Sequence, residues 1–541
     1  MPDKYYLTTP LYYVNAKPHI GHSYTNIAAD TLARFERLRL GKENVFFLTG
    51  TDEHGQKIAR AAQAAGEEPK AFTDRISLTF RELWKTLNIS YDDFIRTTEP
   101  RHKEAVQAVW RDLEKRGEIY TATYSGYYCT PCETFLTEET VRQQQEAGQT
   151  EILCPDCKRP AERIEETNFF FKISPYQDWL IGLIEGKDSK SKMQILPDTR
   201  RNEVLGFLRN NKLQDLCISR PKNRLAWGIE SPLSKDHVTY VWFDALINYI
   251  SACGYGDAQQ AERFKKWWPA DVHLIGKDIL RHHAVYWPIL LHALGLEPPR
   301  LIFAHGWWVQ GGQKMSKSLG NITDPVEIVK KYGVDPYRYF LLSEAPFGQD
   351  GTFSEEALIS RFNTDLANDL GNLLHRTLTM CEKYFQGRVP DFVAAPEGSI
   401  IAMEAVALKS SRDILYKKIE ASMRTLAFSE ALQAIWSLIN QANKFIEQSA
   451  PWTLYKEKRD AELKTVIIAL AELLKAIAQL LWPFMPETAE AIWKQLGINS
   501  HIDSGIDWTD ARHTMSGIQV AKGAPLFPRI ETDKEKVAGK N

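Results

Sequence analysis

The sequence predicts an α/β protein: a parallel, nucleotide-binding sheet interrupted by an insertion and followed by an all-α helical bundle. Three observations carry that reading. A strand–helix–strand signal fills the first fifty residues, two Cys-x-x-Cys pairs lie in a tyrosine-rich interval of short strands, and strand signals almost vanish after about residue 355.

The first half of the sheet is assigned to residues 1–116. Residues 5–9, Tyr-Tyr-Leu-Thr-Thr, are β-prone. Ile27, Ala28, Leu32, Phe35 and Leu38 then recur at helical spacing and stop before Gly41, and Val45 to Thr49 form an apolar run ending at Gly50. This is a βαβ unit, the opening of a Rossmann-type sheet. Residues 117–224 change texture and read as a connective insertion. The sheet resumes over 225–290, with 238–243 as one strand, 272–276 as another, and a helix containing Ile279, His283 and Tyr286. Residues 291–355 carry a glycine-flanked Lys-Met-Ser-Lys-Ser loop. Amphipathic stretches such as 431–448 and 463–482 make 356–530 a helical domain, and the charged tail 531–541 is expected to be disordered.

With 541 residues, the chain is too long for a single core. It is 44% hydrophobic and 25% charged, with no apolar run near the roughly 20 residues that a membrane helix needs, so no membrane role is expected. Met-Pro-Asp-Lys leads into tyrosines instead of a basic and then apolar leader, which points to a cytoplasmic setting. A net charge of −2 excludes binding of polyanions by overall charge, so any nucleic acid must be met by local patches.

Seven cysteines do not pair off as a disulfide scaffold. Cys217, Cys253 and Cys381 stand alone and are expected to be buried thiols. Cys129, Cys132, Cys154 and Cys157 form two knuckles whose spacing lets four thiolates complete a tetrahedron around one structural Zn²⁺. The duplication and the missing secretory signal argue against a redox pair or disulfides. Four thiolates leave no open position for catalysis.

His19 and His22 are three residues apart, the spacing of one helix face, and fit a metal site, a phosphate site or neither. A third ligand is missing nearby. The pair follows the first strand and opens the next helix, where amide and imidazole N–H groups can donate to phosphate and Gly21 leaves room for close approach. A second stretch runs from Gly311 to Asn321 and includes Lys314, Ser316, Lys317 and Ser318, cations and donors suited to a triphosphate.

Together His-Ile-Gly-His and Lys-Met-Ser-Lys-Ser resemble the paired signatures of the class I aminoacyl-tRNA synthetases. The resemblance spans nearly the whole chain. It is closest to the methionyl-tRNA synthetase family, of the bacterial type with one four-cysteine zinc cluster, through residues 9–15 (Thr-Pro-Leu-Tyr-Tyr-Val-Asn), 52–55 (Asp-Glu-His-Gly), 218–220 (Ile-Ser-Arg), 241–245 (Val-Trp-Phe-Asp-Ala) and 275–279 (Ile-Gly-Lys-Asp-Ile).

The resemblance implies a ligase that activates L-methionine with ATP and Mg²⁺ and passes it to tRNA(Met), initiator and elongator. It assigns ATP contacts to His19, Gly21, His22, Lys314, Ser316, Lys317 and Ser318, with both histidines and both lysines catalytic. It places methionine against Leu11, Tyr13, Asp52, Trp242, Ala245, Leu246, Tyr249, Ile279 and His283, with Asp52 meeting the ammonium. Many relatives have Ala at Pro10 and Pro at Leu246, which bears on the pocket's fine shape. Residues 291–355 become a stem-contact region, and 356–530 resembles an anticodon-binding bundle in which Asn372, Arg376 and Trp452 meet the bases; spacing alone would make Trp452 a core residue. The valyl, isoleucyl and leucyl relatives carry a large editing domain in the insertion, and a cysteinyl enzyme a catalytic-pocket zinc. A non-catalytic descendant would show decay of one ATP motif. The chain ends at Asn541 without the C-terminal module through which some relatives dimerise, so a monomer is expected.

Overall fold

Residues Tyr5–Tyr13 form the first strand, β1, and Val45–Asp52 the second, β2, which is buried at every position as a strand covered on both faces should be. Asp93–Arg96 is β3, Ile119–Cys129 β4, Glu162–Phe171 β5, Gln194–Leu196 β6, Ser234–Thr239 β7, Val272–Gly276 β8 and Leu301–His305 β9. The principal sheet has six strands in the order β3-β2-β1-β8-β9-β6, and the β2/β3, β1/β8 and β9/β6 pairs run parallel. Gly50 permits the β2/β3 approach: a Cβ there would lie 1.9 Å from the Ile95 carbonyl oxygen.

The computed structural model describes residues 4–130, 134–155, 157–187, 192–310, the backbone of 313–314, 324–503 and 515–531. It divides into two compact units, one of Met1–Pro18, Phe46–Lys85 and Tyr91–Ala304, the other of His19–Val45, Thr86–Ser90 and His305–Asn541. The first holds the sheet and a core that includes Tyr6, Phe46, Trp110, Phe243, Tyr249 and Trp287.

The second unit holds the helix after β1, α1 (Ile20–Leu40), and the C-terminal helices. Val241–Leu246 in the first unit is α2; the rest, in the second, are α3 (Val334–Ser343), α4 (Asn372–Phe385), α5 (Ile400–Arg424), α6 (Phe428–Ser449), α7 (Pro451–Lys456), α8 (Asp460–Leu481) and α9 (Pro486–Gln495). Leu432, Ile435, Ile439 and Ala442 of α6, with Val466, Leu470, Leu474 and Ile477 of α8, are buried at the three-to-four residue spacing of packed helices. Among the described residues no helix is long and apolar enough to cross a membrane.

Four sequence expectations need correction. Residues 241–243 are not strand: β7 stops at Thr239, and Val241, Trp242 and Phe243 open α2, whose apolar run signals burial without a strand's period. Moreover, β7 joins a small antiparallel sheet with Glu230–Ser231 and Ser219–Pro221, outside the principal sheet. The bounds drawn around the sheet also fail: the interval 117–224 is not wholly an insertion, because β6 forms an edge of the principal sheet and Leu180, Leu183, Val204 and Leu208 enter its core, and the sheet does not end at 290, because β9, within 291–355, pairs with β6. A three-residue strand is too short to show alternation. Finally, the helix through Ile279, His283 and Tyr286 is a 3₁₀ turn, Lys277–Ile279, then a π turn, His282–Tyr286, before regular helix at Trp287–Leu294. Cys253 and Cys381 are buried and Cys217 half-buried. Residues 532–541 lie outside the described residues.

Candidate functional site

The first unit builds an aromatic pocket wall on α2 and the turns after β8. Trp242 is half-buried and stacks on His282, with centroids 3.7 Å apart and planes inclined by 20°. Ala245, Leu246 and Tyr249 are buried behind it. The Tyr249 hydroxyl donates to His283 Nε2 at 2.8 Å, while His283 Nδ1–H donates to the Ile279 carbonyl at 3.0 Å, an arrangement that fixes the tautomer. Tyr249 also stacks on His273 at 4.2 Å. The Trp287 indole donates to His273 Nε2, so His273 Nδ1–H donates to Thr8 on β1 at 2.8 Å.

Burial holds all three imidazoles neutral. It lowers His283 to about 4 and, with the nearby His283 and Arg281, lowers His282 to about 3; His273 is held well below its usual value. This wall is therefore aromatic, uncharged and polarisable, chemistry suited to an apolar or thioether side chain. Leu11, Tyr13 and Ile279 are half-buried, and Leu11 and Ile279 pack against the core of the same unit.

One carboxylate belongs to the same unit. Asp52, 6% exposed, ends β2, and its carbonyl accepts from Val14 N at 3.2 Å, tying the exit of β1 to the end of β2. The residues after it are fastened on several sides. Glu53 accepts from Arg96 at 2.6 and 2.8 Å and from Thr98 at 2.6 Å, and the Trp227 indole donates to the Glu53 carbonyl at 2.5 Å. His54 Nδ1 lies 2.7 Å from Asp244 of α2, whose other oxygen is 2.6 Å from His102 Nε2.

Sequence reasoning missed this His54–Asp244–His102 bridge, which ties the Asp52 loop to the helix carrying Trp242. Burial would raise the Asp244 carboxyl, but the charge of His54 and the hydrogen bonds from both histidines outweigh it and hold it below the usual range. The signal was present as one acid inside an apolar run, since a fully buried carboxylate needs partners.

The second unit places His19 and His22 at the start of α1. His19 is the N-cap in extended geometry, and the Gly21 N–H donates to its Nδ1 at 3.1 Å. Reciprocally, the His19 N–H donates to His22 Nδ1 at 3.1 Å, closing a capping box of two histidines with ring centroids 3.9 Å apart. With both Nδ1 atoms accepting, each neutral ring carries its proton on Nε2, the tautomer that donates. A Cβ on Gly21 would come within 3.0 Å of the His19 ring, so the glycine makes room for the capping imidazole.

Lys314 pairs through its backbone with Val309 in an antiparallel turn. Ser316, Lys317 and Ser318 lie outside the described residues.

On the helical side of this unit, Asn372 is exposed at the start of α4. Arg376, one turn on, is half-buried and pairs with Glu447 of α6 at 2.6 Å, an exposed ion pair of the kind worth little and easily exchanged. Trp452 on α7 is 41% exposed, not the core residue that spacing alone suggests. Nearby in sequence, Tyr455 stacks on Tyr384 at 4.5 Å.

The cysteine cluster lies at the end of β4. The thiols of Cys129, Cys154 and Cys157 lie within 4.8 Å of one another, so these three can hold a metal ion; Cys132 falls outside the described residues. Cys154 N–H donates to the Arg159 carbonyl and Lys158 N–H to the Cys154 carbonyl, folding the second knuckle into a tight turn. Among the described residues the surrounding core cluster holds Cys129, Leu136, Ile152, Cys154 and Ala161 as buried residues, too small to order a module unaided. Donor set and size both fit a structural metal.

Models of two known families match most of this chain. A family model described as "tRNA synthetases class I (M)" matches residues 5–378, and one described as "Anticodon-binding domain of tRNA ligase" matches 408–518. A methionine–tRNA ligase from Caldanaerobacter subterraneus is 48% identical over 99% of this chain and 80% of its own length. The chain belongs to the methionine–tRNA ligase family of class I tRNA synthetases.

The Bacillus subtilis member of the family is 43% identical over 98% of this chain and 79% of its own. A solved structure of Mycobacterium tuberculosis methionyl-tRNA synthetase in complex with methionyl-adenylate is 42% identical, with a TM-score of 0.88 over 97% of this chain and 100% of that one. Membership makes the protein an ATP-dependent ligase with a parallel α/β sheet and a helical anticodon-binding region.

Proposed function

We propose that the protein activates L-methionine with ATP to methionyl-adenylate and transfers the methionyl group to the 3′ end of tRNA(Met), initiator and elongator alike. The observation that carries this reading is the histidine capping box at the head of α1, combined with near full-length similarity to a synthetase solved with methionyl-adenylate.

In the first step a carboxylate oxygen of methionine bonds to the α-phosphorus of ATP, and the bond to pyrophosphate breaks. The Nε2–H groups of His19 and His22 donate to the phosphate oxygens as negative charge builds, and Lys314 and Lys317 neutralise it; Mg²⁺, entering with ATP as substrate, would add positive charge at the phosphates. Asp52 receives the substrate ammonium. The Trp242–Tyr249–His283 wall, with Leu11, Tyr13, Ala245, Leu246 and Ile279, receives the thioether. A second bond then forms between the acyl carbon and a hydroxyl of the terminal adenosine, releasing AMP. Pyrophosphate exchange measured over a panel of amino acids is expected to respond to methionine alone; a response to another amino acid with none to methionine would overturn the assignment.

Asn372, Arg376 and Trp452 are read as the anticodon contacts, with the exposed indole stacking an unpaired base. Base stacking is worth about 1–3 kcal/mol, so Trp452→Ala should weaken aminoacylation about 5- to 150-fold and leave pyrophosphate exchange unchanged. Equal loss of both activities would count against that role.

For the cysteine module we propose one structural Zn²⁺ on Cys129, Cys132, Cys154 and Cys157, which when bound supplies the cross-link that the small core lacks. The Cys154→Ser protein is expected to lose about one equivalent of zinc by elemental analysis and to become protease-sensitive between residues 119 and 171. Full zinc content in that variant would refute the assignment.

A further inference from the structure

Helix α3 grips α1 at two points within the second unit. At the first, the buried Tyr337 hydroxyl donates to Ser23 Oγ at 3.2 Å, and the Ser23 hydroxyl donates to the His19 carbonyl at 3.3 Å. This two-step relay ends on the backbone of the residue that caps α1. At the second, the next residue, Arg338, is fully buried and donates to Asp30 at 2.7 Å, to the carbonyls of Pro483 and Phe484 at 3.0 and 2.9 Å, and to the Leu87 carbonyl at 3.2 Å. Asp30 also accepts from Arg34 at 2.8 Å and from the Ser90 amide at 2.7 Å.

Asp30 lies eleven residues beyond His19, about 16 Å along the helix axis. The Arg338 clamp therefore sets the direction of α1, and the Tyr337–Ser23 relay sets its first turn, where an error of about 1 Å at the donors costs rate.

We propose that Tyr337 is a positioning residue for adenylate formation, holding the His19–His22 end of α1 through Ser23. The inference rests on the proposed function, in which those two imidazoles meet ATP. Tyr337 acts through Ser23 and the His19 carbonyl. Its removal should slow the chemical step more than it weakens substrate binding.

The test is a double-mutant cycle on methionine-dependent ATP–pyrophosphate exchange, with thermal midpoints followed in parallel. Tyr337→Phe and Ser23→Ala are each expected to lower kcat at least fivefold while the KM for methionine stays within twofold. The double variant should be no slower than the slower single one, because both changes break the same relay. A kcat within twofold of the parent in either folded variant would overturn the inference, as would losses that simply multiply in the double variant. If Tyr337→Phe fails to fold, Ser23→Ala alone decides on the same kcat criterion. An inactive parent enzyme would instead sink the proposed function, so the two failures are separable.

Discussion

Lys317→Ala is expected to lower the rate of methionine-dependent pyrophosphate exchange about 10²–10³-fold and to leave the fold intact. Removing one preorganised donor from a developing oxyanion typically costs about 3–4 kcal/mol of transition-state stabilisation. The α-phosphate becomes crowded and more negative as the methionine carboxylate attacks, so a cation that closes on the phosphates acts more on the transition state than on bound ATP. The loss should therefore fall on kcat, with the KM for ATP changing less. The check is steady-state exchange kinetics beside a thermal melt. Near-normal exchange from a folded variant would remove Lys317 from the catalytic set.

The second large effect is expected at Asp52, and on a different parameter. Its carboxylate ends β2, is 6% exposed and is the one assigned to the substrate ammonium. Asp52→Asn keeps the shape and removes the charge. Losing one partner of a buried, hydrogen-bonded charge pair costs about 2–5 kcal/mol, so the KM for methionine should rise about 30- to 4,000-fold. The KM for ATP should stay near that of the parent. Equal shifts in both constants would mean that Asp52 supports the loop and does not bind the amino acid. That outcome has a structural alternative ready, because Glu53 and His54 on either side of the next peptide are already committed to Arg96 and Asp244.

Much of the fold was legible locally. The run Val45 to Thr49 is a strand in the structure, residues 272–276 form β8, and the helical periodicity after Ile27 belongs to α1. These elements are long or strongly apolar, and their period survives whatever they pack against. The failures were short or ambiguous. Val241, Trp242 and Phe243 combine a β-branched residue with aromatics, which reads as strand, yet they face a core that accepts a helical turn equally well. The three residues of β6 show no pattern at all until β9 pairs with them.

The chemical inventory divides in the same way. By itself the sequence determined which groups exist and in what local company: two histidines around Gly21, cysteines in knuckle spacing, and lysines in a glycine-flanked loop. Backbone geometry enforces such spacings over a few residues, so they can be read without a fold. Only the tertiary structure decided that Asp244 bridges His54 and His102, that the His273 and His283 imidazoles beside Tyr249 are held neutral, and that Tyr337 reaches the His19 backbone through Ser23. Each depends on burial and on partners far apart in the chain. Desolvation and long-range hydrogen bonding act through packing, which no local pattern encodes.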